Sequence, residues 1–194
     1  MRLVTIDFEA SCLPIHGRSF PIEVGIAGDA VTSRSWLIRP HASWHGWDWT
    51  EEAEALHGIS RAELIERGRP VESVAAELAV ALHGCRVFAD SWLDGEWMTT
   101  LASAAGAPLP ARVGHLEEIV VALGATNVSV AEIDAELESR PFGRHRAGED
   151  ARRLYALIEE LQCRHLAKPL PQRGRAPIFR WTPGNRTVEP LVRE

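Results

Sequence analysis

The sequence predicts an α/β domain, and three observations carry the prediction: β-prone runs come first, helical periodicity takes over after Pro40, and one further short apolar run returns between helices. Arg2 to Phe8 reads as a central strand, because Leu3, Val4 and Ile6 make it apolar over a short span. Pro21 to Ala27 and Ala30 to Ile38 are the next two strands, joined at Gly28-Asp29, a dipeptide that suits a tight hairpin. Thr50 then opens a helical run with Glu51, Glu52 and Glu54, and Ser60 with Glu63 has the spacing of a capping box. Val71 to Leu82 repeats apolar residues at Val74, Ala75, Leu78, Val80 and Leu82, an amphipathic helix that Gly84 ends.

Cys85 to Ala89 is a second buried strand, followed by a helix from about Asp94 to Ala105 that Pro108 and Pro110 break. Ser129 and Glu132 offer another capping box, for a helix to about Ser139. Gly148 to Cys163 is the last helix, with Leu154, Leu157, Ile158 and Leu161 on one face. The order is βββ-α-β-α-α, without internal repeats. Beyond Leu166 five prolines and scattered arginines replace periodicity, so residues 1–166 form one domain and residues 167–194 a basic, proline-containing arm. Ile178, Phe179 and Trp181 are the residues through which that arm would dock.

At 194 residues and 45% hydrophobic, the chain is long enough for one such domain and short for two. An acidic pair is reached by position 7, before any apolar run suits a signal peptide, and no later stretch approaches a membrane span. Cys12, Cys85 and Cys163 are odd in number, far apart and without metal-ligand spacing, as expected of reduced thiols in a cytoplasmic protein. The net charge of −6 argues at first against a nucleic-acid partner. Its distribution changes that reading. Residues 164–194 hold seven Lys/Arg and two Asp/Glu, a net of +5, which leaves 14 basic and 25 acidic residues, a net of −11, for residues 1–163. Acids gathered around divalent cations would let the ions, rather than Lys and Arg, meet a phosphate.

Asp7 and Glu9 lie two apart at the end of the first strand, so the strand period points both to one face, where one divalent ion would relieve the cost of holding like charges together. His145 stands five residues ahead of Asp150, which opens the last amphipathic helix; a plain helix-terminal acid and a loop histidine explain that pattern equally well. VFADSWLDGEWM is an acid-bearing turn after an apolar strand, in which Asp94 or Asp90 serves as ligand or as helix cap.

Taken together, TIDFEAS, VFADSWLDGEWM and HRAGED resemble the three motifs of the DEDDh 3′–5′ exonuclease superfamily, whose members include oligoribonuclease, ribonuclease T and the proofreading subunits of DNA polymerases. PIEVGIA and ALHGISRAEL also resemble segments that members carry between the first and second motifs, so the likeness spans about residues 2–163. It implies an RNase H-like mixed central sheet, in βββ-α-β-α order, flanked by helices. Carried over residue by residue, it gives Asp7 and Glu9 from the first motif, Asp94 from the second, and His145 and Asp150 from the third. One departure lies in Ala89-Asp90-Ser91-Trp92-Leu93-Asp94, where members usually have His-Asn or Ser-Asp-Ala before the second acid. Asp94 is assigned because the following Gly-x-Trp matches the helix start of bacterial relatives; Asp90 is the runner-up.

The mechanism so implied is in-line attack of water on a phosphodiester with two Mg²⁺ or Mn²⁺ ions roughly 3.5–4 Å apart. Asp7 bridges the ions, Glu9, Asp94 and Asp150 complete the shells, and His145 takes the proton of the attacking water. Single-stranded RNA or DNA is the partner, shortened from its 3′ end to nucleoside 5′-monophosphates. Phe8, Ala10, Glu23 and His57 are the candidate substrate contacts, the alternatives being core packing for Phe8, a supporting or ordinary strand acid for Glu23 and a hydrogen-bonded structural histidine for His57. A homodimer is one expectation because several relatives are dimers. Trp44, Trp47 and Trp49 either stack on bases or fill the core. Two competing functions remain at this stage: an RNase H-like module that binds nucleic acid or protein without cutting, and a metal hydrolase of small phosphoesters.

Overall fold

The first strand becomes the middle of the molecule because alternation gives it two distinct faces. In the computed structural model, which describes residues 2–29, 31–143 and 145–166, the strands are β1 (Arg2–Ala10), β2 (Pro21–Gly28), β3 (Val31–Leu37), β4 (Cys85–Ala89) and β5 (Val113–His115). They form a five-stranded sheet in the order β3-β2-β1-β4-β5. The β1–β2 and β2–β3 pairs are antiparallel, whereas β1–β4 and β4–β5 are parallel. The α/β class and mixed central sheet are as the sequence predicts.

Val4, Ile6, Phe8 and Ala10 enter the main core on one face of β1, against helices α3 (Val71–Leu82) and α4 (Leu93–Ala104), represented there by Val74, Leu78, Met98 and Leu101. Each such side chain contributes roughly 1.5–3 kcal/mol when fully buried, which fixes the register of β1. Thr5, Asp7 and Glu9 therefore face the other way. There the long helix α7 (Ala147–Leu166) crosses the sheet, and Thr5 Oγ1 donates to the Ala151 carbonyl at 2.6 Å. Leu154 and Ile158 of α7 pack with Phe88 and with Ile119 of α5 (Leu116–Ala122). A separate apolar cluster joins α7 to α6 (Asn127–Leu137) through Ile133, Leu137, Leu157 and Leu161.

Capping residues account for most boundaries. Thr50 caps α1 (Glu51–His57) and Ser60 caps α2 (Arg61–Arg67), each accepting a backbone N–H of the first turn. Only half of the expected box at Ser60 forms, because the Glu63 carboxylate pairs with Arg67 at 2.7 Å. The helix read from Ser129 starts earlier: Thr126 is its cap and Ser129 supplies the capped N–H, at 3.2 Å. β5 and α5 escaped the sequence reading altogether. The strand is three residues long, and the α5 cap is His115, which forms a capping box with Glu118 but lacks the usual Ser, Thr, Asp or Asn signature. Val80, expected on the apolar stripe of α3, is exposed.

The tryptophan loop is core rather than a stacking surface. Trp44 is buried and stacked on Phe20 at 5.4 Å, Trp47 carries the Arg18 guanidinium at 4.4 Å, and Trp49 donates to Glu54 at 2.8 Å. The arm expected over residues 167–194 lies outside the described residues. No helix among the described residues is long and apolar enough to cross a membrane.

Candidate active site

Parallel pairing of β1 with β4 brings the carboxyl ends of both strands to one edge, the usual place for a site in an α/β sheet. The register couples Thr5 with Phe88, so two residues further on Asp7 and Asp90 arrive at the same level. Phe8 lies beyond the last β1–β4 pair, and its N–H is taken up by Asp94 Oδ1 at 2.9 Å. That bond anchors the first turn of α4 to the end of β1. Asp94 is 1% exposed, and its second oxygen, Oδ2, is buried without a hydrogen-bond partner.

The third contribution comes from α7, whose N-terminus is pulled down onto the sheet. Gly25 of β2, opposite Asp7, allows this: a Cβ there would lie 2.1 Å from the Ala147 carbonyl carbon. A polar clamp reinforces it. Glu23, opposite Glu9 on β2, is 1% exposed and accepts Arg146 Nε at 3.0 Å, Arg146 Nη2 at 2.9 Å and the Ala147 N–H at 3.1 Å. Arg146 N–H in turn donates to Asp150 Oδ2 at 3.1 Å. His145, immediately before this clamp, is held at φ 57°, a left-handed conformation that costs a non-glycine residue of order 1–3 kcal/mol.

The result is two overlapping groups of acids. Asp7, Glu9 and Asp150 place one carboxylate oxygen each within 4.8 Å of one another, and so do Asp7, Asp90 and Asp94. Asp7 belongs to both. A cleft of about 580 Å³ is lined by all five acids and by His145, with Leu93 and Trp97 among its apolar walls. Burial, then the charges of Asp94, Glu9, Asp150 and Asp90, hold the Asp7 carboxyl well above the usual carboxylate range. Glu9 is pushed from 4.5 to about 8 by burial and by Asp150 and Glu23, against a lowering pull from Arg146. Asp94 is raised by burial and by Asp90. A site of this kind is unfavourable by itself and fits a hard divalent cation: the donors are all carboxylate oxygens, and the buried Asp94 Oδ2 lacks the partner a cation would supply.

The structure thus brings together Asp7, Glu9, Asp94, His145 and Asp150, and it brings Asp90 with them at the exposed rim. The expected substrate contacts divide. Ala10 and His57 line a second, more apolar cavity of about 200 Å³, with Cys12, Leu13 and Leu56, that borders Glu9. His57 is buried, accepts the Ile59 N–H, and has its imidazole held below its ordinary range by that burial. Phe8 is buried in the main core, on the face of β1 opposite the acids, and is also among the residues that line both cavities. Glu23 is closed in, its carboxylate engaged by the Arg146 guanidinium and the Ala147 N–H, and it holds the backbone beside His145. Sequence reading missed the role of Gly25 and the Glu23–Arg146 pair, since the contact joins residues 123 positions apart.

The fold is one shared with solved exonuclease structures. A full-length 3′-exonuclease superposes with a TM-score of 0.64 at 15% identity, over 84% of this chain and 61% of that one. Exonuclease I of E. coli, in complex with a dA16 oligonucleotide, matches with a TM-score of 0.61 at 11% identity, over 84% of this chain and 41% of that one. Exonuclease I of Methylocaldum szegediense gives 0.62 at 12% identity, over 86% and 41%. This chain therefore spans about two fifths to three fifths of the length of these proteins, and the likeness is one of fold. No protein-family model and no curated protein matches the chain.

Proposed function

We propose that the protein is a 3′–5′ exonuclease that removes nucleoside 5′-monophosphates from single-stranded RNA or DNA with two Mg²⁺ or Mn²⁺ ions. One observation carries the reading: acids from β1, the β4–α4 turn, the first turn of α4 and α7 converge on Asp7, in two groups whose oxygens lie within 4.8 Å of one another, in a cleft that His145 also lines. Asp7, Glu9, Asp94 and Asp150 would hold the ions, with Asp90 at the rim as a further oxygen donor. When bound, such cations supply the positive charge that an in-line phosphodiester displacement needs.

The chain's own residues do the rest. A ring nitrogen of His145 accepts the proton of the attacking water, and the Glu23–Arg146 clamp holds the backbone beside it, so the base is placed before substrate arrives. Leu93 and Trp97 exclude water from one wall of the cleft. The terminal nucleoside lies in the apolar cavity of Ala10, Leu13 and His57, whose size admits one base and little more. E. coli Exonuclease I has been solved with single-stranded oligonucleotides, which supports a single strand as the substrate here.

The test is incubation of labelled single-stranded RNA and DNA of several lengths with Mg²⁺ or Mn²⁺, wild type beside Asp7→Ala and His145→Ala. Stepwise shortening from the 3′ end is expected, absent in the first variant and about 10²- to 10⁴-fold slower in the second. Binding without shortening would replace this reading with a non-cutting module, and hydrolysis of mononucleotides alone with a small-phosphoester hydrolase.

A further inference from the structure

Trp92 stands out among the tryptophans of the described residues: it is 65% exposed, whereas Trp36, Trp44 and Trp97 are buried. It is nevertheless held in place. Its ring stacks on His115 with centroids 4.3 Å apart and planes within 7° of parallel. His115 is itself fixed at both nitrogens. Nδ1 accepts the Glu117 N–H at 3.2 Å as the cap of α5, so the proton sits on Nε2, which donates to the Asp90 carbonyl at 2.8 Å. The carboxylate of that same Asp90 lies within 4.8 Å of Asp7 and Asp94. A flat aromatic pair is therefore tied by one residue to the acid cluster, with much of the Trp92 surface left to solvent.

We propose that the Trp92–His115 pair is a stacking platform for a base upstream of the terminal nucleotide. This rests on the exonuclease reading and adds to it a subsite. The apolar cavity assigned to the terminal nucleoside borders the acids on the Glu9 side and includes none of Asp90, Ser91, Trp92 or His115. The platform borders them on the Asp90 side. A strand whose scissile phosphate meets Asp7 leaves the first cavity toward the second flank, where its bases are unpaired and have free faces. Stacking on an immobilised ring is sequence-tolerant, because every base has a π-face, and the pre-formed pair lowers the ordering cost of binding. The platform therefore contributes affinity and grip on length rather than base choice.

The test is an abasic scan. A 5′-fluorescein-labelled oligothymidylate eight nucleotides long, and versions each lacking one base, are titrated by fluorescence anisotropy against wild type, Trp92→Ala and Trp92→Phe, with Ca²⁺ in place of Mg²⁺. Trp92→Ala is expected to weaken the intact strand about tenfold, within the range that loss of one stacked base gives, and Trp92→Phe to recover most of it. At one upstream position, removing the base should cost wild type a similar factor and cost Trp92→Ala almost nothing. Additive losses at every position would overturn the platform and leave Trp92 a merely structural residue. Unchanged affinity in Trp92→Ala with a lowered sedimentation coefficient would assign the ring to contact with a second copy and overturn it likewise. A wild type that shortens strands without coupling at Trp92 removes the platform alone; a wild type that neither binds nor shortens any strand removes the exonuclease reading and the platform together.

Discussion

Replacing Glu9 by glutamine should make the metal-free protein more stable while abolishing its activity. The displacement of the Glu9 carboxyl from 4.5 to about 8 means that the folded state holds a proton there more tightly than the unfolded chain does. Stability from this group is thus complete below about pH 4.5, falls as pH rises, and is lost once pH passes about 8, where the folded protein carries the charge against burial and Asp150. The full gap corresponds to roughly 5 kcal/mol. Part of Glu9 remains in water, and screening there brings the cost to about 2 kcal/mol. For a domain of this size that is about 4–8 °C in Tm. Thermal melts of wild type and Glu9→Gln in EDTA, at about pH 4 and about pH 8.5, should therefore nearly coincide at the lower pH and separate at the higher, the variant melting later. Divalent metal should reverse the order: saturating wild type at a hundred times Kd adds about 2.7 kcal/mol, and the variant, lacking a ligand, gains less. A variant that melts earlier than wild type in EDTA at high pH, or a difference that is the same at both, would refute the reasoning.

Further outcomes follow from the same geometry. His145→Gly relieves the left-handed backbone at that position, so it should leave chemical-denaturation stability equal or raised by about 1 kcal/mol while slowing exonuclease turnover about 10²- to 10⁴-fold. Gly25→Ala puts a Cβ 2.1 Å from the Ala147 carbonyl carbon and must lift the start of α7; loss of activity with a destabilisation of roughly 1–3 kcal/mol, measured by urea unfolding, is expected. Asp94→Asn and Asp90→Asn should differ in kind. The buried Asp94 fixes Phe8 and offers Oδ2 inward, so its variant should lose activity by about 10³-fold or more, and the rim residue Asp90 by roughly tenfold, in initial rates at saturating Mn²⁺.

The acids that line the cleft were legible wherever chemistry rides on short spacing. Asp7 and Glu9 share a face because β1 alternates, and the apolar set Val4, Ile6 and Phe8 leaves no other register. Asp150 and His145 were both singled out by the resemblance of HRAGED to a known motif, since the pattern that opens α7 suits a plain helix-terminal acid equally well. Asp94 and Asp90 were both visible, with Asp94 preferred for the Gly-x-Trp that follows it, but its bond from Phe8 N–H, which joins residues 86 apart, was not. Long-range contacts were invisible for the same reason: nothing in PIEVGIA says that Gly25 clears a path for Ala147 or that Glu23 closes on Arg146. In the fold, β5 and α5 were lost because a three-residue strand carries too little pattern and a histidine cap does not look like one. The tryptophan loop was ambiguous in sequence because the same ring serves a base or a core, and only its burial against Phe20 decides.

The most direct measurement of the central claim is a crystal of the protein grown with Mn²⁺ and recorded at the manganese absorption edge. Anomalous peaks are expected in the cleft, within about 2.5 Å of carboxylate oxygens of Asp7 and its neighbours, with Asp94 Oδ2 drawn into the coordination and none of this in Asp7→Asn. Full Mn²⁺ occupancy at other places, with Asp7, Glu9, Asp94 and Asp150 still unligated, would contradict the account.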